Sequence, residues 1–415
     1  MADLVPRAIT PNVLAALADT PVVVVNGPRQ AGKTTLVRSL PYTGSVEVVS
    51  LDDPIARSAA AADPRTFVER PVDTLVIDEA QLEPALFRAI KASVDADRRP
   101  GRFLLTGSSR LLAAPDMADS LVGRVETIDL WPFAEYELAG VAGPSFVDTV
   151  FDEPGRLLLR TPATRAELGE RLLRGGFPEA VRRQPARRRA WYDSYVRTIT
   201  QRVIRELADL ERLADIPRLL TLCAARTGTE LNAASIASEL GIPARTVSAH
   251  LAHLTTAFLT RLIPAWSTNL SAKVIRRPKL VMADVGLAAH LQGLTAAGLT
   301  RPQAQFGPLL ETLAATELIR QLSWSQSFAT LWHFRDRSGV EVDLVLERPD
   351  GRIVAVEIKA TGTPRVEDLK GLRFLADRLG DRFQFGCLLS TAAEATPFGP
   401  RLATLPLGQL WKGPR

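Results

Sequence analysis

Apolar runs of strand length alternate with helical patterns over the first part of the chain. Such runs lie at residues 21–25, 46–51, 73–78 and 102–106, and a fifth strand is predicted at 125–130. Short apolar runs that are bounded by turn residues are typical of the buried strands of a parallel sheet, in which helices connect successive strands. The pattern predicts an α/β fold with a parallel sheet, and we place this domain at residues 1–150, where a segment rich in Gly and Pro begins.

Helical patterns replace the strand pattern over residues 151–295. Two short helices are predicted at 231–240 and 244–254, and an apolar segment at 259–264 follows them as a candidate wing strand. The residues expected to pack between the two helices are Ala237, Leu240, Ile242, Val247 and Leu251. The sequence therefore predicts a helical middle region with a winged helix at residues 230–265.

Strand and helix patterns return over residues 296–415. An amphipathic helix is predicted at 309–322, and strands follow at 331–335, 340–347 and 353–360. A turn containing Pro, Asp and Gly joins the last two strands, so we expect them to form a hairpin. This region is predicted to be a separate C-terminal α/β domain.

A motif between the first predicted strand and the first predicted helix indicates a ligand-binding loop. Residues 27–34 read G-x-x-x-x-G-K-T, directly after the first apolar run and before a helical pattern. In this context the backbone N–H groups bind phosphate oxygens, the Lys reaches the β- and γ-phosphates, and the Thr ligates Mg²⁺. A Gly-containing turn without a ligand would leave the Lys-Thr pair unexplained, so we expect ATP and Mg²⁺ as cofactors. The predicted contacts are Gly27, Pro28, Arg29, Gln30, Ala31, Gly32, Lys33, Thr34 and Thr35.

Two carboxylates end the third predicted strand, at the edge where α/β sheets place their ligands. Asp78 is expected to hold Mg²⁺ together with Thr34, and Glu79 to orient and polarise the water that attacks ATP. Ser108, with Thr106 as second choice, is the candidate sensor of the γ-phosphate at the end of the next strand. The alternative is a strand that leads into an ordinary helix start, where Asp and Glu are common.

Arg124 precedes the fifth strand and follows a helical pattern at residues 110–121. Ring-forming ATPases place at this position the Arg that reaches the nucleotide of a neighbouring subunit, so Arg124 is a candidate arginine finger. With Lys33, Glu79 and Ser108 it completes the predicted catalytic set. The alternative is an Arg that supports its own fold. A finger acting in trans requires a homo-oligomer, and we expect a ring, with a hexamer as the candidate form.

The composition of the 415 residues excludes several classes of protein. Hydrophobic residues make up 46% and charged residues 23%, as in globular domains, and no segment approaches the roughly 18 uninterrupted apolar residues of a membrane helix. The first residues show no secretory signal pattern. Only Cys223 and Cys387 occur, which argues against a disulfide framework and a Cys-based zinc site. We therefore predict a cytoplasmic protein without a membrane partner.

Two basic segments are candidates for contact with DNA, although the net charge of the chain is only +5. The first spans residues 182–205 and interleaves Arg with Trp191, Tyr192 and Tyr195, a combination that suits phosphates and stacked bases. A solvated helix face and a subunit contact are the alternatives. The second segment lies in and after the predicted helix-turn-helix. The candidate DNA-binding residues are Arg182, Arg187, Arg188, Arg189, Arg245, Lys273, Arg276 and Arg277, with Lys279 as a further phosphate contact.

The predicted C-terminal hairpin carries a group of charged residues. Asp343 lies on one strand, and Glu357 and Lys359 lie on the next with side chains on the same face. An Asp followed by Glu-x-Lys on adjacent strands is the constellation of restriction-type nucleases, in which the carboxylates hold Mg²⁺. Glu311, or alternatively Glu317, is the helical carboxylate expected to complete such a site. An ordinary amphipathic hairpin with a solvated face is the alternative.

The order of these motifs resembles a family of prokaryotic AAA+ ATPases that bear a C-terminal domain of unknown function with a restriction-endonuclease-like, PD-(D/E)xK, fold. The resemblance implies ATP binding at the first motif, a winged helix in the middle region and a nuclease-like fold at the C-terminal end. It leaves open whether that domain cuts DNA. The resemblance rests on residues 27–34, 75–81, 105–108, 123–124, 175–179, 279–287, 341–343 and 357–359.

Three functions follow from these patterns. The leading hypothesis is an oligomeric, Mg²⁺-dependent ATPase that acts on DNA as a translocase or remodeller, on branched or single-stranded DNA. The second is an ATP-gated signalling switch that uses the helix-turn-helix for protein contact. The third is a metal-dependent nuclease that is licensed by ATP.

Overall fold

The computed structural model describes residues 4–108, 121–141, 143–206, 215–267, 277–299, 301, 306–336 and 338–412, with only the backbone for 202–206. The chain divides into two compact units. The N-terminal unit holds residues 6–132 and 256–258, and the C-terminal unit holds 1–5, 133–255 and 259–415.

A five-stranded sheet forms the centre of the N-terminal unit. Its strands are β1 (Val22–Asn26), β2 (Val46–Ser50), β3 (Thr74–Asp78), β4 (Phe103–Gly107) and β5 (Val125–Asp129). All neighbouring strands are parallel, in the order β2-β3-β4-β1-β5. The predicted parallel sheet is therefore present. Strands β1 and β4 are buried at every position, which explains why their sequences are continuous apolar runs.

Helices connect the strands and cover the sheet. The described helices of this unit are α1 (Thr10–Asp19), α2 (Lys33–Ser39), α3 (Pro54–Ala62), α4 (Pro64–Val68) and α5 (Ala85–Ala96), with a 3₁₀ turn at Ala80–Leu82. The side chains of Asp53 and Asp63 accept hydrogen bonds from Ile55 N and Thr66 N, so α3 and α4 begin where the sequence supplies an acidic cap. The predicted helix at 110–121 lies almost wholly outside the described residues.

The boundary of the first unit differs from the predicted one near residue 150. The N-terminal unit ends at Pro132. The next residue, Phe133, donates its backbone N–H to the carbonyl of Gly176 at 2.8 Å, and its own carbonyl accepts from Arg320 Nη1 at 2.9 Å. These hydrogen bonds anchor the segment after Pro132 in the C-terminal unit, and a sequence pattern does not reveal such distant partners.

The C-terminal unit begins with a series of helices. In its first part these are α6 (Glu135–Leu138), α7 (Phe146–Asp152), α8 (Arg165–Arg174), α9 (Pro178–Val181), α10 (Pro185–Glu206) and α11 (Asp215–Ala225). Further along the chain come α12 (Ala233–Leu240), α13 (Ala244–Thr256), α14 (Val285–Leu291), α15 (Ala296–Leu299), α16 (Phe306–Leu322), α17 (Lys370–Leu379) and α18 (Gln409–Lys412). Short 3₁₀ turns lie at Pro154–Leu157, Val366–Leu369 and Gly380–Arg382.

The predicted helix-turn-helix corresponds to α12 and α13. Asn232 caps α12 by accepting from Ser235 N, and Gly241 ends it with a φ of 71°, a conformation that favours glycine. A small antiparallel sheet lies beside these helices in the order β6-β8-β7, formed by Thr229–Glu230, Lys279–Met282 and Thr260–Ile263. Of the residues predicted to pack between the helices, Ile242 is partly exposed and the others are buried. The winged-helix assignment stays a prediction.

A mixed six-stranded sheet forms the last part of the chain. Its strands are β9 (Thr330–Arg335), β10 (Glu341–Glu347), β11 (Ile353–Lys359), β12 (Phe383–Ser390), β13 (Thr396–Pro397) and β14 (Leu402–Pro406). The order is β13-β14-β12-β11-β10-β9, with β10 and β11 as the predicted antiparallel pair and β12 parallel to both β11 and β14. The restriction-endonuclease-like assignment of this sheet also stays a prediction.

The predicted division at residue 295 does not separate two compact units. Trp266 N donates to the carbonyl of His333 on β9 at 2.6 Å, and His333 N donates to the carbonyl of Pro264 at 3.0 Å. The Trp266 ring also lies in the same apolar core as Phe334 and Val342. Residues on both sides of the predicted boundary therefore share hydrogen bonds and a core.

Helix α16 differs from the predicted amphipathic helix, because its polar side chains are buried as well as its apolar ones. Glu317, Arg320 and Gln321 are 2% exposed or less. Each has partners on other elements, such as the backbone N–H groups of α6 for Glu317. The polar positions that suggested a solvated face instead bind neighbouring segments.

Candidate functional site

The loop between β1 and α2 has a backbone that glycine makes possible. A Cβ atom on Gly27 would lie 2.1 Å from the carbonyl oxygen of Leu130, so a larger residue would collide with the backbone there. Gln30 and Gly32 have φ values of 62° and 96°, in the left-handed region. The loop therefore turns tightly from the buried strand into the helix that begins at Lys33.

Two cationic side chains contact this loop. Lys33 is buried, and its Nζ donates to the carbonyl oxygens of Gly27 at 2.9 Å and Pro28 at 3.0 Å. Arg7 donates from Nη1 to the carbonyl of Ala31 at 2.8 Å and from Nη2 to that of Trp131 at 2.6 Å. Lys33 thus lies across the loop, while Arg7 holds the loop to the segment after β5. Arg7 is not predicted from the sequence, because a single Arg before the first helix carries no motif.

The Asp78 carboxylate accepts hydrogen bonds from hydroxyl groups on three elements: α2, β4 and β2, where Ser50 Oγ lies 3.4 Å from Oδ2. Thr34 Oγ1 lies 2.9 and 3.1 Å from its two oxygens, and Thr106 Oγ1 donates to Oδ1 at 2.5 Å. Asp78 is buried at 3% exposure at the C-terminal end of β3. Carboxylate and hydroxyl oxygens are the ligands that Mg²⁺ prefers. The residues predicted to hold the metal therefore lie together, and their donor set fits Mg²⁺.

Glu79 adopts a strained backbone next to this group. Its φ of 58° and ψ of 43° are left-handed, which costs a non-glycine residue roughly 1–2 kcal/mol. Its backbone N–H donates to Thr106 Oγ1 at 3.1 Å, and its carboxylate accepts from Ser108 Oγ at 2.8 Å and from Gln81 Nε2. Such strain is maintained only where surrounding contacts support it, and it concentrates at functional sites.

Both sensor candidates, Thr106 and Ser108, are buried and touch the carboxylates at the end of β3. Thr106, the second choice from sequence, contacts Asp78 and the Glu79 backbone. Ser108 Oγ donates to the Glu79 carboxylate at 2.8 Å and accepts from Gln81 Nε2 at 3.1 Å. Gln81 was not singled out from the sequence, although its spacing two residues after Glu79 was a usable signal.

Arg124 has a partner within its own unit. Its guanidinium lies 2.6 Å from Asp95 Oδ1 through both Nε and Nη2, and Nη1 donates to the carbonyl of Val122 at 2.9 Å. Its side chain is 19% exposed. This arrangement favours the alternative that the sequence left open, an Arg that supports its own fold. The role of an arginine finger stays a prediction.

The first basic segment is less suited to DNA than its sequence indicates. Arg188 is 6% exposed, pairs with Glu170 at 2.8 Å and donates to the carbonyl of Ala180. Tyr192 and Tyr195 are also buried, and their rings pack with Phe177. The prediction that Arg188 binds phosphate and that these tyrosines stack on bases is therefore wrong for this conformation. Arg182, Arg187 and Arg189 remain exposed.

The second basic segment is only partly within the described residues. Arg245, at the start of α13, and Arg277 are exposed, whereas Lys273 and Arg276 lie outside the residues that the structure describes. Lys279 is buried at 8% exposure and pairs with carboxylates. The prediction that Lys279 contacts a phosphate backbone is wrong.

The C-terminal charged residues do lie close together. Asp343 Oδ2 accepts from the backbone N–H of Ile358 at 2.9 Å, which fixes the Asp between β10 and β11. Lys359 Nζ lies 2.7 Å from Glu357 Oε1, and both line a cavity of about 260 Å³. Glu357 itself is 5% exposed, and its Oε2 has no hydrogen-bond partner among the residues that the structure describes.

Glu311 is connected to Asp343 by Lys279, which is not among the residues predicted for this site. Lys279 Nζ lies 2.5 Å from Glu311 Oε1, 3.4 Å from Asp343 Oδ1 and 3.3 Å from the Asp343 carbonyl oxygen. Glu317, the alternative helical carboxylate, instead accepts from the backbone N–H groups of Glu135 and Tyr136. Lys279 therefore joins Glu311 to Asp343, and strand periodicity alone did not distinguish it from a surface cation.

Burial and mutual repulsion act on the carboxyl groups of this centre. Burial raises the pKa of Glu311 to about 7, the charge of Asp343 adds to the effect, and Lys279 opposes it. Burial likewise raises the pKa of Glu357 to about 7, with Asp343 adding and Lys359 opposing. Perturbed carboxyl groups of this kind are common at functional sites but also occur in structural ion pairs.

No group of three or more His, Cys, Asp and Glu side chains has the arrangement of a metal site in the described part of the chain. Within the same residues, none of the helices is both long enough and apolar enough to cross a membrane.

Three family models match different parts of the chain. A model described as an AAA domain matches residues 19–139. Two domains of unknown function, DUF8612 and DUF4143, match residues 165–298 and 306–410. The AAA match covers the sheet and both groups of motif residues in the N-terminal unit.

Related proteins and structures were also found. The chain is 30% identical over 356 residues to the uncharacterized proteins Rv2008c of Mycobacterium tuberculosis and Mb2031c of Mycobacterium bovis, covering 85% of this chain and 73% of each relative. A Walker-type ATPase of Pyrococcus abyssi is similar with a TM-score of 0.41 and 16% identity, over 70% of this chain and 99% of that one. A signal transduction ATPase with a tetratricopeptide repeat sensor from Pyrococcus horikoshii matches with a TM-score of 0.21 and 11% identity, over 78% and 47%.

Proposed function

Because this chain belongs to the family of the uncharacterized mycobacterial protein Rv2008c and carries an AAA-type ATPase domain, we propose that it couples Mg²⁺-dependent ATP hydrolysis to an action on DNA. The observation that carries the ATPase part is the meeting of Thr34, Thr106 and the Asp78 carboxylate beside the loop that begins at Gly27. We further propose that the protein works as a homo-oligomer, with a hexameric ring as the first form to test.

The residues of the loop would bind and orient the triphosphate. Lys33 Nζ, which now donates to two loop carbonyls, would turn to the β- and γ-phosphate oxygens. Thr34 and Asp78 would hold Mg²⁺, which when bound offsets the negative charge of the phosphates. Arg7 would keep the loop backbone in place through its hydrogen bond to Ala31.

Glu79 would act on the attacking water. Its left-handed backbone is supported by Thr106, and its carboxylate is held by Ser108 and Gln81. In this role Glu79 accepts a hydrogen bond from the water and polarises it towards the γ-phosphate. Ser108 and Gln81 would release or retain that carboxylate as the phosphate arrives, which makes them positioning residues.

The DNA part of the proposal is supported by the exposed arginines at the start of α10. Arg187 and Arg189 lie on this helix and Arg182 shortly before it, all exposed to solvent. Guanidinium groups that are free to approach a surface neutralise phosphates without reading sequence. Arg245 and Arg277 are also exposed in the helix-turn-helix part of the same unit.

The direct test is the rate of ATP hydrolysis by the full chain with single-stranded, duplex and branched DNA. We expect at least one form to stimulate hydrolysis several-fold. Replacing Arg182, Arg187 and Arg189 by Ala is expected to abolish the stimulation and to leave the basal rate unchanged, because these side chains belong to the C-terminal unit and the proposed ATPase residues to the N-terminal unit.

A matched variant removes the same charge elsewhere in the C-terminal unit. Arg365, Arg373 and Arg378 are also exposed, and their replacement by Ala should leave the stimulation intact. Hydrolysis that no DNA form changes would contradict the DNA part of the proposal. Equal loss of stimulation in both triple variants would contradict the assignment of the contact to the start of α10.

An ATP-gated switch with a protein partner is the second candidate. The exposed side of α13 favours it, because that side carries one basic residue among small and polar ones: Arg245, Ser248, Ala249, Ala252 and His253. This candidate predicts slow hydrolysis that is indifferent to DNA, together with a nucleotide-dependent change of oligomeric state. The nuclease alternative requires a divalent cation at Asp343 and Glu357, and the position of Lys279 argues against it.

A further inference from the structure

The acidic centre of the mixed sheet contains an ammonium group among its carboxylates. Lys279 reaches it from β8 of the small sheet, Glu311 from α16 and Asp343 from β10. Lys279 Nζ is 2.5 Å from Glu311 Oε1 and 3.4 Å from Asp343 Oδ1. In a restriction-type nuclease the divalent metal is held by carboxylates in such a position.

The contacts of Lys279 resemble those of a cation in a binding site. Besides the two carboxylates, its Nζ lies 3.3 Å from the Asp343 backbone carbonyl, so three oxygen atoms surround it. The side chains of Lys279, Glu311 and Asp343 are 10%, 18% and 11% exposed. A buried charge is tolerated when it is paired and hydrogen-bonded, and each of these groups is paired.

The ammonium group keeps its charge in this environment. Burial alone would lower the pKa of Lys279, but the charges of Glu311 and Asp343 together raise it above its ordinary value. A Lys with this balance is protonated at neutral pH and supplies a permanent positive charge. The carboxylates facing it therefore have a counterion without any bound metal.

Asp343 and Glu357 do not form a metal site beside Lys279. Asp343 uses Oδ2 to accept from Ile358 N and Oδ1 to face Lys279, so both of its oxygens are engaged. Glu357 lies beside Lys359 on the cavity side. Consistently, no metal-binding group of three side chains is found within the described ranges. The Mg²⁺ that a PD-(D/E)xK site would use does not fit these contacts.

We propose that Lys279 is the resident cation of this centre, and that its ammonium group takes the place of a divalent metal between Glu311 and Asp343. The consequence is that the wild-type centre ties β8, α16 and β10 together and has no metal-dependent nuclease activity. Removing the ammonium group, while keeping the length of the side chain, should convert the same oxygens into a divalent-cation site.

The test measures Mn²⁺ binding to the full chain in the absence of nucleotide. Electron paramagnetic resonance of the free ion gives the amount of Mn²⁺ that is bound. Lys279→Met is expected to bind one more Mn²⁺ per chain than the wild type, with at least tenfold higher affinity at that site. Because a ligand that binds the folded state stabilises it, Mn²⁺ should also raise the melting temperature of Lys279→Met more than that of the wild type.

Two variants define the site. Lys279→Met combined with Asp343→Asn should return Mn²⁺ binding to the wild-type level. Lys359→Met removes an equal charge from the same centre but leaves Lys279 between Glu311 and Asp343, so it should also bind Mn²⁺ like the wild type. Additional Mn²⁺ in Lys359→Met, or a folded Lys279→Met without additional Mn²⁺, would overturn the proposal.

If Lys279→Met does not fold, a comparison of the wild type with Asp343→Asn tests the proposal independently. Asp343→Asn keeps an oxygen that can accept from Ile358 N and removes the charge that a metal needs. Equal Mn²⁺ binding by the wild type and Asp343→Asn would support Lys279 as the resident cation. Mn²⁺ that binds the wild type and is lost in Asp343→Asn would refute it.

Discussion

The Thr106 hydroxyl links the carboxylate of Asp78 to the backbone of Glu79. It donates to Asp78 Oδ1 at 2.5 Å and accepts from the backbone N–H of Glu79 at 3.1 Å. One side chain thus supports both the predicted metal ligand and the left-handed backbone of the predicted base. Ser108, in contrast, is bonded to the Glu79 carboxylate and Gln81.

We predict that Thr106→Val slows ATP hydrolysis more than Ser108→Ala does. Val has the shape of Thr without the hydroxyl, so the buried Asp78 loses a donor and Glu79 N loses an acceptor. A hydrogen bond to a charged group contributes about 1.5–3 kcal/mol, which corresponds to a loss of roughly ten- to a hundredfold in kcat. The check is kcat and KM for ATP in both variants, and a larger effect of Ser108→Ala would contradict the assignment.

Asp284 joins several helices of the C-terminal unit. It is fully buried, caps α14 by accepting from Leu287 N at 2.9 Å, and accepts from Gly176 N at 2.7 Å. Its carboxylate also lies 3.1 Å from both Tyr192 Oη and Arg320 Nη2. One carboxylate therefore connects α14 to the turn before α9, to α10 and to α16.

Asp284→Asn is predicted to destabilise the protein strongly. The amide keeps some hydrogen bonds but leaves the buried guanidinium of Arg320 without its charged partner, a loss of about 3–5 kcal/mol for a buried pair. Urea unfolding of the full chain measures it. Asp193→Asn is the matched control, since Asp193 is 57% exposed and pairs with His290 on the same helix α14. A loss of similar size in both variants would contradict the central position of Asp284.

Glu317, on α16, makes the free energy of unfolding of the protein depend on pH. It is fully buried, and burial raises its pKa to about 7, against the lowering effect of Arg320. A carboxyl group whose pKa is raised on folding from an ordinary 4.5 favours the folded state at low pH, and this contribution is lost as the pH rises towards 7. The free energy of unfolding therefore contains a component that falls over this range.

We predict that the stability advantage of the wild type over Glu317→Gln shrinks between pH 5 and pH 7.5. Gln does not titrate, so the difference between the two proteins isolates the ionisation of Glu317 from that of other carboxyl groups. The measurement is the urea midpoint of each protein at both pH values. A difference that stays constant or grows with pH would show that the pKa of Glu317 is not raised.

The sequence predicts the N-terminal unit of the molecule better than the C-terminal one. Strands β1 and β4 are buried, mostly apolar runs in a parallel sheet of five strands, and the residues of the loop after β1 are adjacent in the chain. Asp78 and Thr34 are predicted to meet because parallel strands present their C-terminal ends at one edge, and they do meet. Local patterns and one topological rule are enough for this result.

Burial of charged and aromatic residues in the C-terminal unit could not be predicted in the same way. Arg188, Tyr192 and Lys279 have the sequence context of surface residues, yet their partners Glu170, Asp284 and Glu311 lie far along the chain. A helical or strand period indicates which residues share a face but not what lies against that face. Such distant partners also explain why the unit boundary lies at 132 and not near 150.

The most direct test of the account is ATP binding and hydrolysis by the full chain and by Glu79→Gln, in the presence of Mg²⁺. We predict that Glu79→Gln binds ATP with nearly the wild-type affinity and that its kcat falls by about a hundredfold or more, because only the polarisation of water is removed. Lys33→Ala serves as the control and should weaken binding itself. Turnover of ATP by Glu79→Gln at the wild-type rate would contradict the account.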